Sequence, residues 1–256
     1  MLPRELLGWY LDAGVDEAIG EQPVDRYATA VIPPAPIAKP PHPAPAQAPS
    51  VPGQATCGLA TAASSVEELG RVLETFDDCP LKKTATKLVF CDGSTTARLI
   101  MIGEAPGAEE DRQGMPFVGP SGQLLDRMLA SVELDRSQVL ISNTVFWRPP
   151  GNRTPTSAEI AACRPFVERL IELVDPEFLV ALGGAAAKSL LARNESVGKL
   201  RGKWFPYSTP RLPRPVQATA IYHPAYLLRS PAQKRAAWRD LLAIKKKLAD
   251  AEPHTR

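Results

Sequence analysis

The stretch Leu99-Ile100-Met101-Ile102-Gly103-Glu104-Ala105-Pro106-Gly107, running on through Glu110 and Asp111 to Met115-Pro116-Phe117-Val118-Gly119-Pro120-Ser121-Gly122, decides the fold. Four large apolar residues in succession, closed by a glycine, read as a strand buried on both faces, the signature of a parallel sheet. The density of Gly and Pro after Ile102 predicts a long, shaped, non-repetitive loop. A helical pattern then starts at Gly122. The alternation repeats downstream: Val139 to Ser142 before a helix from Ser157, Phe178 to Leu182 before a helix from Ala185 to Leu191, and Val216 to Tyr222 before a helix from Ala232. This order predicts an α/β fold of three layers, α/β/α, with a central, mainly parallel four-stranded sheet. Ligands of such sheets bind outside the carboxyl ends of the strands, where the unusual loops fall.

Upstream, Ser64 or Ser65 with Glu67 or Glu68 three residues on makes a capping-box signature ahead of Leu69, Val72 and Leu73, so a helix is expected to run to about Phe76. The folded domain is accordingly expected over residues 64–248. Residues 1–31 carry Leu6, Leu7, Tyr10, Leu11 and Val15 at helix-like intervals and read as an amphipathic segment, while residues 32–63 read as a Pro- and Ala-rich linker. Residues 249–256 form a tail. The 256-residue chain, 44% hydrophobic and 23% charged, supports one sizeable core with an extension. A net charge of +2 says little about partners, but Lys and Arg concentrate after about residue 190 and offer a local basic surface. No apolar run approaches the roughly 18 residues of a membrane span, and no secretory leader is evident, so a soluble cytoplasmic protein is expected, associated with the nucleoid if bacterial. Cys57, Cys79, Cys91 and Cys163 form no CxxC pair and read as free thiols.

Three strand ends bring chemistry to one edge: Glu104 through Phe117, then Asn143-Thr144 with Trp147-Arg148-Pro149-Pro150-Gly151-Asn152-Arg153, then His223-Pro224-Ala225-Tyr226-Leu227-Leu228-Arg229. His42 lies in the linker and His254 in the tail, which leaves His223 as the imidazole of the folded domain.

Together these three segments resemble the uracil-DNA glycosylase superfamily, most closely its family 4 branch. The resemblance covers roughly residues 64–248 and implies an enzyme that flips uracil out of DNA and cleaves the bond between base and deoxyribose. It implies that Phe117 stacks on the base, that Asn143 reads the uracil edge, and that His223 stabilises the departing base. Ala105 and Gly107 fall among the substrate-binding positions of the first loop.

The residue types suit those tasks on general grounds. The Asn143 amide offers an acceptor for uracil N3–H and a donor for O4, a pattern that cytosine inverts. A mismatch leaves buried polar groups unpaired at about 1–3 kcal/mol each. The Phe117 ring supplies a flat wall worth about 1–3 kcal/mol in stacking, unless it is simply a core residue. Cleavage builds negative charge on uracil O2, and His223 suits a donor aimed there, neutral or charged. For positioning water or stabilising the oxocarbenium ion, the candidates are Glu104 and Glu110, because Ala105 stands where the best-known branch carries an aspartate; either carboxylate can instead cap the loop through backbone N–H groups. Glu109 and Asp111 are expected to face solvent. Base extrusion costs a few kcal/mol. Leu227 and Leu228 are candidates for the wedge that offsets it, or for core packing, and Arg148, Arg153 and Arg229 for phosphate contacts.

The resemblance also implies a four-iron cluster held by four cysteines. Cys79 and Cys163 match two ligand positions, while Phe76 and Trp147 occupy the other two, and two thiolates do not close a cuboidal cluster. No cofactor is therefore expected, with Trp147 filling the space by aromatic packing and Cys57 and Cys91 as spare thiols. A covalently trapping relative carries a histidine-bearing insertion that has no counterpart in Trp147 to Ala162, so ordinary turnover is expected. The expected partners are uracil-containing DNA, single- or double-stranded, and a repair or replication protein at the N-terminal segment, with the enzyme itself a monomer. A non-catalytic uracil-DNA binding or scaffold module is the alternative reading. Nucleotide hydrolysis on a phosphate loop finds no GxxxxGK[ST] run.

Overall fold

The structure, a computed structural model, describes residues 52–251. The amphipathic segment expected over residues 1–31, and the linker as far as residue 51, lie outside them.

Five-residue runs of uniformly buried side chains form the centre of the sheet: β2 (Leu99–Gly103), β3 (Val139–Asn143) and β4 (Phe178–Leu182), joined by β6 (Val216–Ile221). These are the four expected strands, and their pairings are parallel. Two short strands extend the sheet to six, in the order β1-β3-β2-β4-β6-β5. β1 (Cys91–Gly93) lies antiparallel to β3 and β5 (Phe205–Tyr207) antiparallel to β6. Both edge strands escape a pattern search for a physical reason. Each has three residues, β1 ends in glycine and β5 contains Pro206, a composition that suits edges and carries no periodicity.

Alternate side chains of the sheet serve two cores. Ile100, Ile102, Leu140 and Leu179 pack with residues of α1 (Pro52–Ala62), α2 (Val66–Thr75) and α5 (Ser157–Val174). Leu99, Met101, Val139, Ile141 and Val180 pack with α4 (Pro120–Ala130), α8 (Pro224–Arg229) and α9 (Lys234–Asp250). Small residues Ala181 and Ala220 receive Ala186 and Ala187 of α6 (Gly184–Leu191) and Leu200 of α7 (Val197–Leu200). The strand period of two thus yields the three-layer α/β/α arrangement expected from the sequence. No helix among the described residues is long and apolar enough to cross a membrane.

Two local expectations change. The loop after β2 contains one helical turn and a half, α3 (Ala108–Gln113), whose short acidic sequence carries no apolar stripe to reveal it. The folded body also begins before Ser64. α1 occupies the end of the expected linker because Ala60 and Ala63 are small enough to bury fully against the α5 layer. Arg169 of α5 then donates to the Ala63 carbonyl through Nε and Nη2 at 3.0 and 2.7 Å, and Arg211 Nη1 to the Thr61 carbonyl at 3.0 Å. α2 starts as expected, with Ser65 Oγ accepting from Glu68 N at 3.2 Å and Glu68 Oε2 accepting from Ser64 N at 2.7 Å.

Compared with a chain beginning at residue 52, one beginning at residue 64 should melt lower by on the order of 5 °C. Differential scanning calorimetry of the two chains checks this, and equal midpoints would remove α1 from the domain.

Candidate active site

Parallel register aligns the strand ends. Gly103 pairs with Asn143 and Leu182 with Ile221, so the loops after β2, β3 and β6 leave the sheet at one edge. There they enclose a cavity of about 450 Å³ lined by Glu104, Ala105, Gly107, Glu110, Phe117, Asn143, Arg153, His223, Tyr226 and Arg229. Most of the residues singled out in the sequence are thereby brought together. Ser121, Asn152 and Thr154 also line it, and nothing in their type or spacing marked them beforehand.

Asn143 ends β3 with 1% of its surface exposed, and its Oδ1 has no hydrogen-bond partner among the described residues. An unpaired buried acceptor costs about 1–3 kcal/mol, so this oxygen is left with unused hydrogen-bonding capacity. Gly103 makes the arrangement possible: a Cβ there would lie 2.5 Å from both Asn143 Oδ1 and Phe117 Cζ. The Phe117 ring, 5% exposed, stands 5.7 Å from the His223 ring, centroid to centroid, at an interplanar angle of 32°.

His223 is the N-cap of α8, and its Nδ1 accepts from Ala225 N at 3.1 Å. A nitrogen that accepts carries no proton, which assigns the proton of the neutral ring to Nε2. Burial, reinforced by the positive charge of Arg229, lowers the His223 pKa from 6.5 to about 4. His223 is therefore a neutral N–H donor near pH 7, which resolves the choice left open by its sequence.

The two carboxylate candidates separate. Glu110 is 8% exposed and accepts three backbone N–H groups: Gly107 at 3.1 Å, Val118 at 3.0 Å and Gly119 at 2.8 Å. It clamps both ends of the loop, in the manner of the capping alternative that its sequence left open. The Glu104 carboxylate lines the cavity and makes no hydrogen bond or ion pair among the described residues. Glu109 is exposed as expected and pairs with Arg112 at 2.6 Å. Asp111 is not: it is 5% exposed and accepts from Thr86 N at 2.8 Å and Lys87 N at 3.2 Å.

The expected DNA contacts divide as well. Leu227 is 1% exposed within the α4–α8–α9 core, which removes it as a wedge because its side chain already has its packing partners. Leu228 is 44% exposed. Arg153 lines the cavity but is forked onto Glu159, at 2.9 and 2.6 Å, and this pairing holds the Glu159 pKa at about 2. Arg148 lies off the cavity lining and donates to Asn152 Oδ1 at 2.7 Å. Arg229 lines the cavity near His223.

The residues at the expected cluster positions do not fit a four-iron group. Cys163 donates to Cys79 across 3.8 Å between sulfurs, and both are fully buried. That hydrogen bond, then burial, holds the Cys163 thiol protonated well above its ordinary range. Phe76 and Trp147 fill the other two positions with rings whose centroids are 6.3 Å apart, and Phe76 meets Phe166 edge-on at 4.8 Å. Cys91 is half-buried on the edge strand and Cys57 is exposed on α1, and no three His, Cys, Asp or Glu side chains among the described residues converge on one point.

A flat apolar wall, a buried amide with an unused acceptor and a neutral donor suit a planar heterocycle, and the sheet edge that carries them defines an α/β nucleobase-binding protein. Sequence comparison agrees. Residues 90–242 match the uracil DNA glycosylase superfamily, and the chain belongs to it. It is 37% identical over 180 residues to a type-4 uracil-DNA glycosylase of Pyrobaculum aerophilum, a match spanning 69% of this chain and 91% of the relative. It is 39% identical over 153 residues to the type-4 enzyme of Thermotoga maritima, spanning 59% and 77%. A 138-residue stretch is 31% identical to part of a Bacillus phage SP01 DNA polymerase, covering 54% of this chain and 14% of that protein.

Two outcomes test the site. On acidification, the His223 ¹⁵N signals should keep the neutral Nε2–H pattern through pH 6.5 and change near pH 4. Because the unfolded ring protonates first, its contribution to stability is full above pH 6.5 and declines as pH falls toward 4. Glu110→Gln should lose about 1–3 kcal/mol in urea unfolding, since an amide oxygen cannot satisfy all three N–H groups.

Proposed function

We propose that this protein is a monofunctional glycosylase that excises uracil from DNA by hydrolysing the N-glycosidic bond, leaving an abasic site for base excision repair. The observation that carries the reading is the Asn143 Oδ1, unpartnered among the described residues, in a side chain that lines the cavity beside Phe117. Uracil offers that oxygen its N3–H and offers the amide nitrogen its O4, whereas cytosine presents the opposite pattern.

The reaction follows from the charges it creates. As the bond lengthens, uracil O2 gains negative charge and the sugar gains positive charge. The neutral His223 Nε2–H stabilises O2, and Arg229 adds a positive field at the mouth of the cavity. Glu104, whose carboxylate makes no hydrogen bond or ion pair among the described residues, is the carboxylate left to orient water and to stabilise the sugar cation, since Glu110 is engaged by the loop. Leu228, exposed on α8, takes the wedge role, and Arg229 with Arg153 and Arg148 binds phosphates. A monomer acting where the DNA lies, in the cytoplasm or on a nucleoid, agrees with this chemistry. A repair or replication protein is the proposed partner of residues 1–31, whose apolar residues recur at helix-like intervals.

We infer further that no iron–sulfur cluster takes part. The support is chemical: a thiol pair joined by a hydrogen bond and two aromatic rings cannot supply four sulfur ligands. Purified protein should contain less than stoichiometric iron and lack absorption near 400 nm. Bound iron at four atoms per chain would overturn this.

Incubation with uracil-containing oligonucleotides, followed by alkali, tests the central reading. Strand scission is expected, and tight binding without scission would support a non-catalytic module instead. His223→Ala should slow single-turnover excision by roughly 10²–10³-fold, the range for loss of one oxyanion donor, while changing DNA affinity little. Asn143→Asp should weaken discrimination against cytosine, and Glu104→Gln should slow excision without altering the melting temperature. An unchanged rate for Glu104→Gln would end the carboxylate assignment.

A further inference from the structure

The base-stacking wall is held from behind by a residue outside the cavity lining. Phe117 has φ +55°, a left-handed conformation that costs a non-glycine residue on the order of 1–3 kcal/mol. Asp175 and Ala192 share the positive φ but cap helix ends, where such geometry is usual. Phe117 caps nothing. Its carbonyl turns instead onto the first turn of α4, where a Cβ on Gly122 would overlap it.

Arg136 accounts for the hold. Its Nη2 donates to the Phe117 carbonyl and its Nη1 to the Pro116 carbonyl at 3.1 Å. The same guanidinium is fixed from two further elements, by Asp126 of α4 at 2.8 Å through Nε and by Asp92 of β1 at 2.7 Å through Nη1. The side chain is 25% exposed. A planar fork with five donors can serve two carboxylates and two successive carbonyls at once, which a lysine ammonium cannot do from one point.

We infer that Arg136 is a positioning residue for base recognition: by gripping the Pro116 and Phe117 carbonyls it keeps Phe117 in its left-handed conformation, with the ring aimed to stack on the flipped base. Asp92 and Asp126 orient the guanidinium for that task. The inference rests on the uracil-excision reading, because the ring it aims is the proposed stacking surface.

A double-mutant cycle tests it, with single-turnover excision from a single-stranded uracil oligonucleotide and inhibition by free uracil as readouts. Arg136→Met should weaken free-uracil inhibition and slow excision by roughly tenfold each, within the range expected for one lost base–aromatic stack. Arg136→Lys should fall between native and Met. In a Phe117→Ala background, Arg136→Met should cost nothing more. Equal cost in both backgrounds, or unchanged uracil inhibition, would overturn the inference. If Arg136→Met does not fold, Asp126→Asn loosens the guanidinium from a half-exposed partner and should give a smaller effect with the same non-additivity. The two readings fail separately: a native enzyme that releases no uracil ends the excision reading, whereas an active native enzyme with an impaired Phe117→Ala variant leaves the cycle to decide on Arg136. An unimpaired Phe117→Ala overturns the stacking role together with this inference.

Discussion

The Glu110 carboxylate and the three backbone N–H groups it accepts are the constraint on which the site depends. Between Gly107 and Gly119 the chain leaves the sheet for a loop with one short helix, and buried N–H groups there need partners that no strand supplies. One buried side chain joins the loop's beginning to its end, which closes the path that carries Phe117 back over Gly103 and Asn143. Asp111, the next residue, ties the same helix to Thr86 and Lys87. Two adjacent acidic residues, of which Asp111 was expected to face solvent, therefore act as internal fasteners.

Around this frame the electrostatics suit the proposed reaction, whose leaving group becomes negative. A histidine kept neutral by burial and by Arg229 still donates through Nε2, because Ala225 N occupies Nδ1. Such a donor need not release a proton to stabilise the oxyanion, so the site is prepared before the bond lengthens. On the proposed reading Asn143 complements it at the other edge of the base, with an acceptor that has no partner among the described residues.

The far side of the sheet shows how packing can stand in place of ligation. Where the family resemblance implies four thiolates, this chain keeps a hydrogen-bonded thiol pair and places Phe76 between Trp147 and Phe166, in ring contact with each. Aromatic burial supplies apolar area and edge-to-face contacts, and it ties the residues after α2 to α5. The substitution lies in the core that also holds Ile100, Ile102 and Leu140, so it supports the strands that end at the active site.

The sequence by itself determined the three-layer class, the four inner strands, the cap of α2 and the membership of Glu104, Phe117, Asn143 and His223 in one site. Continuous apolar runs and Gly-rich strand ends are local signals, and they survive folding because each strand is buried on both faces. Tertiary structure alone decided what each polar group has left to give. Glu110 and Glu104 are the same residue type six positions apart, but one meets three N–H groups and the other none. Leu227 and Leu228 are neighbours, yet helix geometry sends one to the core and leaves the other in solvent. Arg136 carried no motif, because its role comes from two carbonyls and two carboxylates gathered from separate elements. Hydrogen-bond capacity is used up by partners distant in the chain, and no local pattern records which partner arrives.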